Sequence, residues 1–446
     1  MKFFGTDGIR GKYGESLIND KFFFIIGYSM GNVLSDGDCV LIGHDGRESA
    51  YNLQDALAKG FEYSKKNIII ESTGLITTPC LSFTMKKSGK YKFGLMISAS
   101  HNAYYDNGIK ILHSNGEKIN YDIQSQIEKI ISEQIDKFDN LNLSTLQNNL
   151  RPVTVSIDDY RNYGISFLKN EYDKKVSIAI DCANGGSSFI VNQFKNYTSN
   201  TISNIDFHII NNAPNGMNIN KDCGSTKINN VLNYIIENNV DLGIAFDGDG
   251  DRVIMCLKNG FIVDGDQIIC ILNRELNIKK NKQYNIVGTI MSNYGLESLQ
   301  NKNKSKLIRT DVGDIHVKNA MNEHRINIGG EQSGHIICKP YFDNGDGFLC
   351  SMLLLGLYLE SNMNMNEFFF GFEPVKQYLF AVKYDPSLYN TNQLCDILYQ
   401  KYSIYGKDGR VNVRKSGTES VIRVMIESNT VVLDNVINEI NNEKYY

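Results

Sequence analysis

Three aspartates alternate with glycines in the sequence DGDGDR, which directly follows an apolar stretch. Glycine lets the backbone turn tightly enough for the carboxylates of Asp247, Asp249 and Asp251 to converge. Converging negative charges repel one another unless a cation lies among them, and ligands that are all oxygen atoms indicate Mg²⁺ or Ca²⁺. An EF-hand starting at Asp247 is excluded, because Arg252 and Lys258 stand where it needs glycine and glutamate. A solvated acidic turn is the alternative interpretation.

A serine ends a second apolar stretch, GLMISAS, and the sequence HNAYYDNGIKIL follows it. We expect the hydroxyl of Ser100 to face a cleft at the end of a strand; a turn or capping role is the alternative. Lys110 follows a turn at Gly108, and a hairpin there would return its ammonium group toward Ser100. A serine facing both a metal ion and a lysine is suited to carry phosphate, because the two cations would neutralise the dianion. A hydrolase triad is not indicated, since the G-x-S-x-G pattern is missing.

The sequence RKSGTES near the end of the chain has the composition of a phosphate-binding loop. Arg414 offers paired N–H donors, Ser416 and Thr418 offer hydroxyls, and Gly417 lets backbone N–H groups approach an anion. Residues 407–423 hold five Lys or Arg against two acids, a positive region in a protein of net charge −4. An ordinary hairpin turn is the alternative for the same residues.

The sequence GGEQSGH places Glu331, Ser333 and His335 at alternate positions. In an extended loop these side chains would face one way. A carboxylate beside a hydroxyl is suited to bind sugar hydroxyls, and a structural histidine is the alternative for His335.

The bulk properties of the chain limit its class and location. Its 446 residues predict two to four domains, and 42% hydrophobic with 22% charged residues is typical of a soluble globular protein. The negative net charge argues against nucleic-acid binding. No apolar run reaches the roughly 18 residues of a membrane helix, and the first residues do not resemble a signal peptide. We therefore expect a cytoplasmic protein that binds neither nucleic acid nor membrane.

Apolar strands alternate with segments of helical period along most of the chain. This βαβ rhythm predicts mostly parallel sheets covered by helices on both faces, and it restarts twice. The last part is shorter and has the pattern of an α+β unit. The sequence thus predicts four domains, with boundaries at residues 1–150, 151–256, 257–370 and 371–446.

The motifs together resemble one enzyme family. FGTDGIRG (4–11), SASHN with DNGIK (98–110), DGDGDR, GGEQSGH and RKSGTE occur in the order and at spacings similar to those of the α-D-phosphohexomutases. NINKDCGST (218–226) and VDGDQI (263–268) add to the resemblance, which spans essentially the whole chain. It implies three related mixed-sheet α/β domains and a smaller carboxy-terminal α+β domain around a central cleft.

The resemblance also implies a role for each candidate residue. Ser100 would be the phosphoserine, and Asp247, Asp249 and Asp251 would hold Mg²⁺ together with it. Proton transfer and charge stabilisation would fall to Lys110, Arg10 and His335. Sugar hydroxyls would be bound by Glu331 and Ser333, and the non-reacting phosphate by Arg414, Ser416, Gly417, Thr418 and Arg423.

The implied reaction is a Mg²⁺-dependent exchange of phosphate between two positions of a hexose, through a hexose bisphosphate. The residue Gln332 in GGEQSGH favours glucosamine 6-phosphate and glucosamine 1-phosphate. Glucose or mannose phosphates on the same scaffold are one alternative, and an inactive phosphosugar-binding homologue is another. We expect a monomer or a homodimer.

Four residues depart from the family pattern. Relatives usually have proline at Ala103 and Ser420, often arginine at Ile315, and commonly Lys or Arg at His44. The loss of a proline loosens a loop slightly, so efficiency and fine specificity are the properties that these changes would affect.

Overall fold

The computed structural model describes residues 3–429, apart from residues 6, 16, 139, 154–156, 170, 199–201, 203, 279–283, 385–389, 407–408 and 416–420. Four sheets follow one another along this part of the chain, with α-helices between their strands and three short 3₁₀ turns at Leu143–Thr145, Ser225–Lys227 and Ile404–Gly406. No helix among the described residues is both long enough and apolar enough to cross a membrane.

The first sheet has six strands in the order β1-β5-β4-β2-β3-β6. The strands are β1 (Ile9–Lys12), β2 (Cys39–His44), β3 (Ile69–Leu75), β4 (Phe93–Ile97), β5 (Asp106–His113) and β6 (Arg151–Pro152). The helices are α1 (Asp20–Val33), α2 (Ala50–Tyr63), α3 (Thr78–Ser88) and α4 (Tyr121–Gln134). Strand β2 runs parallel to β3 and β4, whereas β4 and β5 form an antiparallel hairpin in which Lys110 lies opposite Met96. The expected turn at Gly108 is wrong: the chain reverses between residues 98 and 105, and Gly108 lies within β5.

The second sheet has the order β11-β10-β9-β7-β8. Its elements are β7 (Val176–Asp181), β8 (Ile205–Ile210), β9 (Leu242–Phe246), β10 (Val253–Leu257) and β11 (Ile262–Val263), with helices α5 (Asp158–Ile165), α6 (Ser187–Thr198) and α7 (Asn229–Glu237). The DGDGDR sequence forms the turn between β9 and β10, which pair in antiparallel fashion.

The third and fourth sheets are smaller. The third has the order β13-β12-β14-β15, from β12 (Ile286–Thr289), β13 (Leu307–Thr310), β14 (Ile328–Gly330) and β15 (Ile336–Cys338). Its helices are α8 (Gly265–Ile278), α9 (Tyr294–Lys302), α10 (Asp314–Glu323), α11 (Gly347–Glu360) and α12 (Met365–Phe369). The antiparallel fourth sheet, β16-β18-β17, contains β16 (Gln377–Lys383), β17 (Arg410–Lys415) and β18 (Val421–Glu427), with helix α13 (Thr391–Ser403).

The fold class expected from the sequence is confirmed: three α/β units with mixed sheets precede a smaller α+β unit. The predicted boundaries stay a proposal. Each proposed unit carries one sheet, although β6 joins the first sheet and β11 joins the second from just beyond those boundaries.

Many helices begin at a polar side chain that accepts a hydrogen bond from the first turn, which is the usual way to satisfy free N–H groups there. Asparagine supplies most of these caps, which are Asn19, Thr77, Asn120, Asn293, Asp346, Asn364 and Asn390.

The largest hydrophobic cluster runs through the first three units and includes Leu41, Ile180, Phe246 and Ile336. Helix α11 is buried along nearly its whole length in this cluster, which explains its uniformly apolar sequence. The opposite face of the first sheet packs a second cluster against α1 and α2. The fourth sheet and α13 form a smaller cluster of their own.

The cap of helix α11 predicts a pH effect on stability. Asp346 is buried, its Oδ1 accepts hydrogen bonds from Leu349 N (2.8 Å) and Tyr160 Oη (2.7 Å), and burial raises the pKa of Asp346 to about 7. The folded state thus binds a proton that the unfolded chain loses near the ordinary value of 3.8, so the free energy of unfolding falls as pH rises between these values. At 1.36 kcal/mol per unit, the full difference is roughly 4 kcal/mol.

Asn accepts the same two hydrogen bonds without ionising. We expect Asp346→Asn to melt at a higher temperature than the parent protein at pH 8 and at nearly the same temperature at pH 5, as scanning calorimetry would measure. The exposed Asp122→Asn serves as the control and should show no such difference. Equal melting temperatures of Asp346→Asn and the parent at both pH values would contradict the prediction.

Candidate active site

The hydroxyl of Ser100 meets the acidic turn of the second unit. Ser100 lies just after β4 with φ of 52°, a left-handed conformation that costs free energy for a residue other than glycine. Its Oγ donates to Asp247 Oδ2 at 2.7 Å, and His101 Nδ1 is 3.3 Å away. Burial and the nearby Arg252 and Arg10 lower the pKa of His101 to about 4, so a neutral imidazole stands beside this serine near neutral pH.

A buried arginine holds the loop that carries the serine. Arg47 is fully buried; its Nη2 donates to the carbonyl oxygens of Ser100 (2.9 Å) and Asn102 (3.0 Å), and its Nη1 to those of Asp106 (2.8 Å) and Ala103. A planar guanidinium presents these donors in a fixed fork, which a lysine ammonium does not reproduce. The arginine therefore fixes the backbone of the loop where the sequence has Ala103 in place of proline.

A second set of contacts supports the amide side of the same loop. Asp45 Oδ2 accepts from Arg47 Nε at 2.9 Å and from Ser98 Oγ at 2.7 Å, and Ser98 Oγ in turn accepts from Ser100 N at 2.8 Å. The left-handed conformation of Ser100 is thus held from both its amide and its carbonyl group.

The three aspartates converge as the sequence predicts. Carboxylate oxygens of Asp247, Asp249 and Asp251 lie within 4.8 Å of one another, and all three residues are buried. Burial and the charges of Asp251 and Asp249 raise the pKa of Asp247 well above its ordinary value. Asp249 Oδ1 and Asp251 Oδ1 have no hydrogen-bond partner within the described chain. Buried oxygen ligands with free acceptor atoms fit a divalent metal ion.

Lys110 enters the same cluster from the first unit. Its Nζ lies 2.7 Å from Asp249 Oδ2, 2.7 Å from Asp251 Oδ2 and 3.3 Å from Asp7 Oδ2. Although burial alone would lower it, the carboxylates of Asp249 and Asp251 hold the pKa of Lys110 well above its ordinary value. The hairpin therefore does return the ammonium group to the acidic turn that Ser100 contacts.

A charge network connects this cluster to the third unit. Lys118 contacts Asp7 and, at 2.5 Å, Asp314 Oδ2, and Arg10 also pairs with Asp7. Burial alone would lower the pKa of Lys118, but Asp314 and Asp7 raise it. His335 Nε2 lies 3.9 Å from Asp314 Oδ2. The structure thus brings Arg10, Lys110 and His335 to one network of acidic and basic side chains.

The loop that carries Glu331 and Ser333 is not extended, so the expectation that alternate residues face one way is wrong. It is a tight turn between β14 and β15, closed by hydrogen bonds from Glu331 N to His335 O and from Gly334 N to Glu331 O, both at 3.0 Å. Gly334 makes this turn possible with φ of 93°. Glu331 and His335 are buried and Ser333 is exposed. Glu331 Oε1 accepts from Gly313 N at 3.0 Å.

The predicted phosphate loop is seen only at its two ends. Ser416, Gly417 and Thr418 lie outside the described residues, whereas Arg414 and Arg423 lie directly opposite each other on β17 and β18. Burial, together with the charge of Arg423, lowers the pKa of Arg414. Like charges at opposite positions destabilise a sheet, and an anion bound between them would relieve the repulsion.

Several residues at the centre are absent from the candidates that the sequence supplied. Thr78 Oγ1 donates to Asp249 Oδ2, Lys118 joins two units, and His101 adjoins Ser100. His101 stands inside a quoted motif and could have been found there. Nothing in the local pattern around Thr78 or Lys118 indicates a role, because their contacts are made by residues distant in sequence.

Comparisons with known proteins agree with this architecture. Family profiles described as phosphoglucomutase/phosphomannomutase, alpha/beta/alpha domains I, II and III, match residues 1–137, 157–260 and 264–373, and the C-terminal domain profile matches residues 400–441. Among solved structures, a phosphoglucomutase/phosphomannomutase family protein from Burkholderia thailandensis superposes with a TM-score of 0.74 at 19% identity, covering 97% of this chain and 95% of that one. This likeness shows the fold.

Curated relatives are similar over nearly the full length. The phosphoglucosamine mutase of Bartonella bacilliformis is 36% identical, covering 98% of this chain and 97% of the relative. That of Nitrosococcus oceani is 34% identical, covering 96% and 94%. With four family profiles and these relatives in agreement, the chain belongs to the phosphoglucomutase/phosphomannomutase family, the α-D-phosphohexomutases, which are isomerases.

Proposed function

We propose that this protein interconverts glucosamine 6-phosphate and glucosamine 1-phosphate, the reaction of a phosphoglucosamine mutase. The observation that carries the proposal is the contact of 2.7 Å between the Ser100 hydroxyl and the buried aspartate turn of another unit. The full-length relatives that bear this enzyme name favour the amino sugar over glucose and mannose phosphates.

Phosphoryl transfer depends mainly on positioning and on charge neutralisation. In the proposed cycle, phosphorylated Ser100 gives its phosphoryl group to the free hydroxyl of the sugar phosphate; that hydroxyl loses its proton to a base, and the Ser100 oxygen gains a proton as the P–O bond to it breaks. The hexose bisphosphate then reorients in the site, and its other phosphoryl group is transferred to Ser100. Each half of the cycle makes one P–O bond and breaks one, so no further reactant is consumed.

We assign Asp247, Asp249 and Asp251, with the Ser100 phosphate, as ligands of Mg²⁺. When bound, this ion would neutralise phosphoryl charge and polarise the P–O bond. The buried site limits access of water, which would otherwise take the phosphoryl group.

The other candidate residues stay proposals in the roles given to them. Lys110, which already lies among the carboxylates, would serve with Arg10 and His335 in proton transfer and charge stabilisation. Glu331 and Ser333 would bind sugar hydroxyls. The non-reacting phosphate would be held by Arg414, Ser416, Gly417, Thr418 and Arg423.

Two departures from the family pattern have a physical reading. Burial lowers the pKa of His44, so this position does not supply the positive charge that Lys or Arg would bring. Ala103 lacks the ring of proline, but the hydrogen bond that Arg47 donates to its carbonyl oxygen restrains the loop instead. Ile315 follows Asp314 at the start of α10, and Ser420 lies outside the described residues.

We further propose a cytoplasmic monomer or homodimer that uses a hexose bisphosphate as activator.

The proposed function is tested by a coupled assay with the 6-phosphates of glucosamine, glucose and mannose, run with Mg²⁺ and the matching bisphosphate. We expect kcat/KM to be highest for the glucosamine substrate. Higher values for glucose or mannose phosphate would support the alternative specificity, and binding without turnover of any of them would indicate an inactive homologue. A parallel preparation of Ser100→Ala controls for contaminating mutase.

A further inference from the structure

The segment NINKDCGST of the second unit has no role in the site as described so far, yet one of its side chains reaches the serine loop. Asn220 Nδ2 donates to the carbonyl oxygens of Ser100 and Asn102, both at 2.9 Å. These residues lie 120 and 118 positions earlier in the chain. The amide therefore bridges the second unit to the loop that carries the nucleophilic hydroxyl.

Asn220 is itself held firmly in place. Its backbone is left-handed, with φ of 56°, a conformation that asparagine tolerates better than most residues. Its N–H donates to Ala183 O at 2.9 Å. A Cβ built on Gly248 would lie 2.8 Å from Asn220 Nδ2 and 2.7 Å from Ser100 O, so the aspartate turn packs directly on this contact. Glycine at 248 is therefore required for the approach.

The same two carbonyl groups are shared with Arg47. Ser100 O and Asn102 O each accept one hydrogen bond from the Arg47 guanidinium and one from the Asn220 amide. Arg47 belongs to the same unit as the loop and fixes its shape. Asn220 belongs to the unit that carries Asp247. Of these two residues, only Asn220 therefore connects the loop to the unit of the aspartate turn.

We propose that Asn220 is a positioning residue that keeps the Ser100 hydroxyl in register with the aspartate turn across the boundary between the first two units. It touches neither the substrate nor the reacting atoms in this role. The catalytic consequence rests on the proposed function, whereas the structural consequence, restraint of the loop from Ser100 to Asp106, does not.

The test compares Asn220→Asp with the parent protein. Aspartate keeps the size and the tolerance of a left-handed backbone but replaces the N–H donor by an oxygen that repels both carbonyl groups. Asp222→Asn is the matched control, because Asp222 is an exposed residue of the same segment with φ of 55°. Hydrogen exchange measures the amides of Asn102 and Asp106, which donate to Ala99 O and Ala103 O within the loop.

We expect these two amides to exchange faster in Asn220→Asp and at the parental rate in Asp222→Asn. We also expect kcat to fall about 10²-fold with KM changed less than about twofold, since a displacement of about 1 Å at a reacting group has an effect of that size. If Asn220→Asp simply unfolds, exchange will be faster throughout the chain rather than at these two amides. In that case Asn220→Ser is the second variant: it restores a hydrogen-bond donor on a shorter side chain, and we expect its kcat to be higher than that of Asn220→Asp.

Parental exchange at both amides together with parental kcat in Asn220→Asp would overturn the inference and leave the proposed function intact. If the parent protein turns over no phosphosugar, the proposed function fails, and the exchange rates alone still decide whether Asn220 restrains the loop.

Discussion

Ser100→Ala is expected to lower the turnover number by roughly 10⁴-fold or more, because the variant has no oxygen atom to carry the phosphoryl group. The fold should persist, since the change removes one hydroxyl that donates a single hydrogen bond, to Asp247. The loss in stability would be about 1 kcal/mol. Turnover is measured by the coupled assay, and the melting temperature by calorimetry.

Intact-mass analysis gives an independent readout of the same variant. After incubation with a hexose bisphosphate, the parent protein should gain the mass of one phosphate, located at Ser100 by peptide mapping, and Ser100→Ala should gain none. The exposed Ser35→Ala is the control and should behave as the parent. Parental turnover in Ser100→Ala, or a phosphate at another residue, would remove the basis of the proposed reaction.

Asp249→Asn is expected to abolish the response to Mg²⁺ and to lower turnover about 10³-fold. Asp249 accepts from Lys110 Nζ and Thr78 Oγ1 through one oxygen, and its other oxygen has no partner in the described chain. An amide removes a negative charge and one of the carboxylate oxygens, both of which a hard divalent cation requires. The substitution also removes one of the acidic side chains that surround Lys110.

The measurement for Asp249→Asn is the shift in melting temperature that Mg²⁺ causes, because a ligand that binds only the folded state stabilises it by mass action. The parent protein and the exposed control Asp396→Asn should both gain stability as Mg²⁺ rises. Asp249→Asn should gain little, and chelation of divalent ions should stop turnover of the parent reversibly. An unaltered Mg²⁺ response in the variant would argue that the acidic turn binds no metal ion.

Much of this architecture could be predicted from the sequence, because the patterns that determine it are local. Apolar runs such as VSIAID became strand β7, and the alternation of Asp and Gly in DGDGDR became a convergent turn. The strand of Lys110 also runs antiparallel to β4 as expected, but the chain reverses between residues 98 and 105, and Gly108 lies within β5. In the first two cases neighbouring residues determine the backbone path, so the pattern predicts the geometry without the rest of the chain.

The contacts that complete the site are not local, and the sequence alone missed them. Lys118 matters because it contacts Asp314, which begins helix α10 of the third unit, and Asn220 matters because it contacts the backbone of Ser100. The GGEQSGH loop was misjudged for a related reason. Hydrogen bonding between β14 and β15 folds it into a turn, which the alternation of Glu331 and Ser333 does not reveal.

The separate apolar cluster of the carboxy-terminal unit has a consequence for cooperativity. Side chains of the other three units share the largest apolar cluster, so we expect those units to lose structure together, whereas the last unit packs a cluster of its own and we expect it to melt as an independent foldon. A heating curve of the intact protein would then contain a small early step before the main one. The carboxy-terminal unit, which is proposed to bind the non-reacting phosphate, would thus be the first to unfold as the temperature rises.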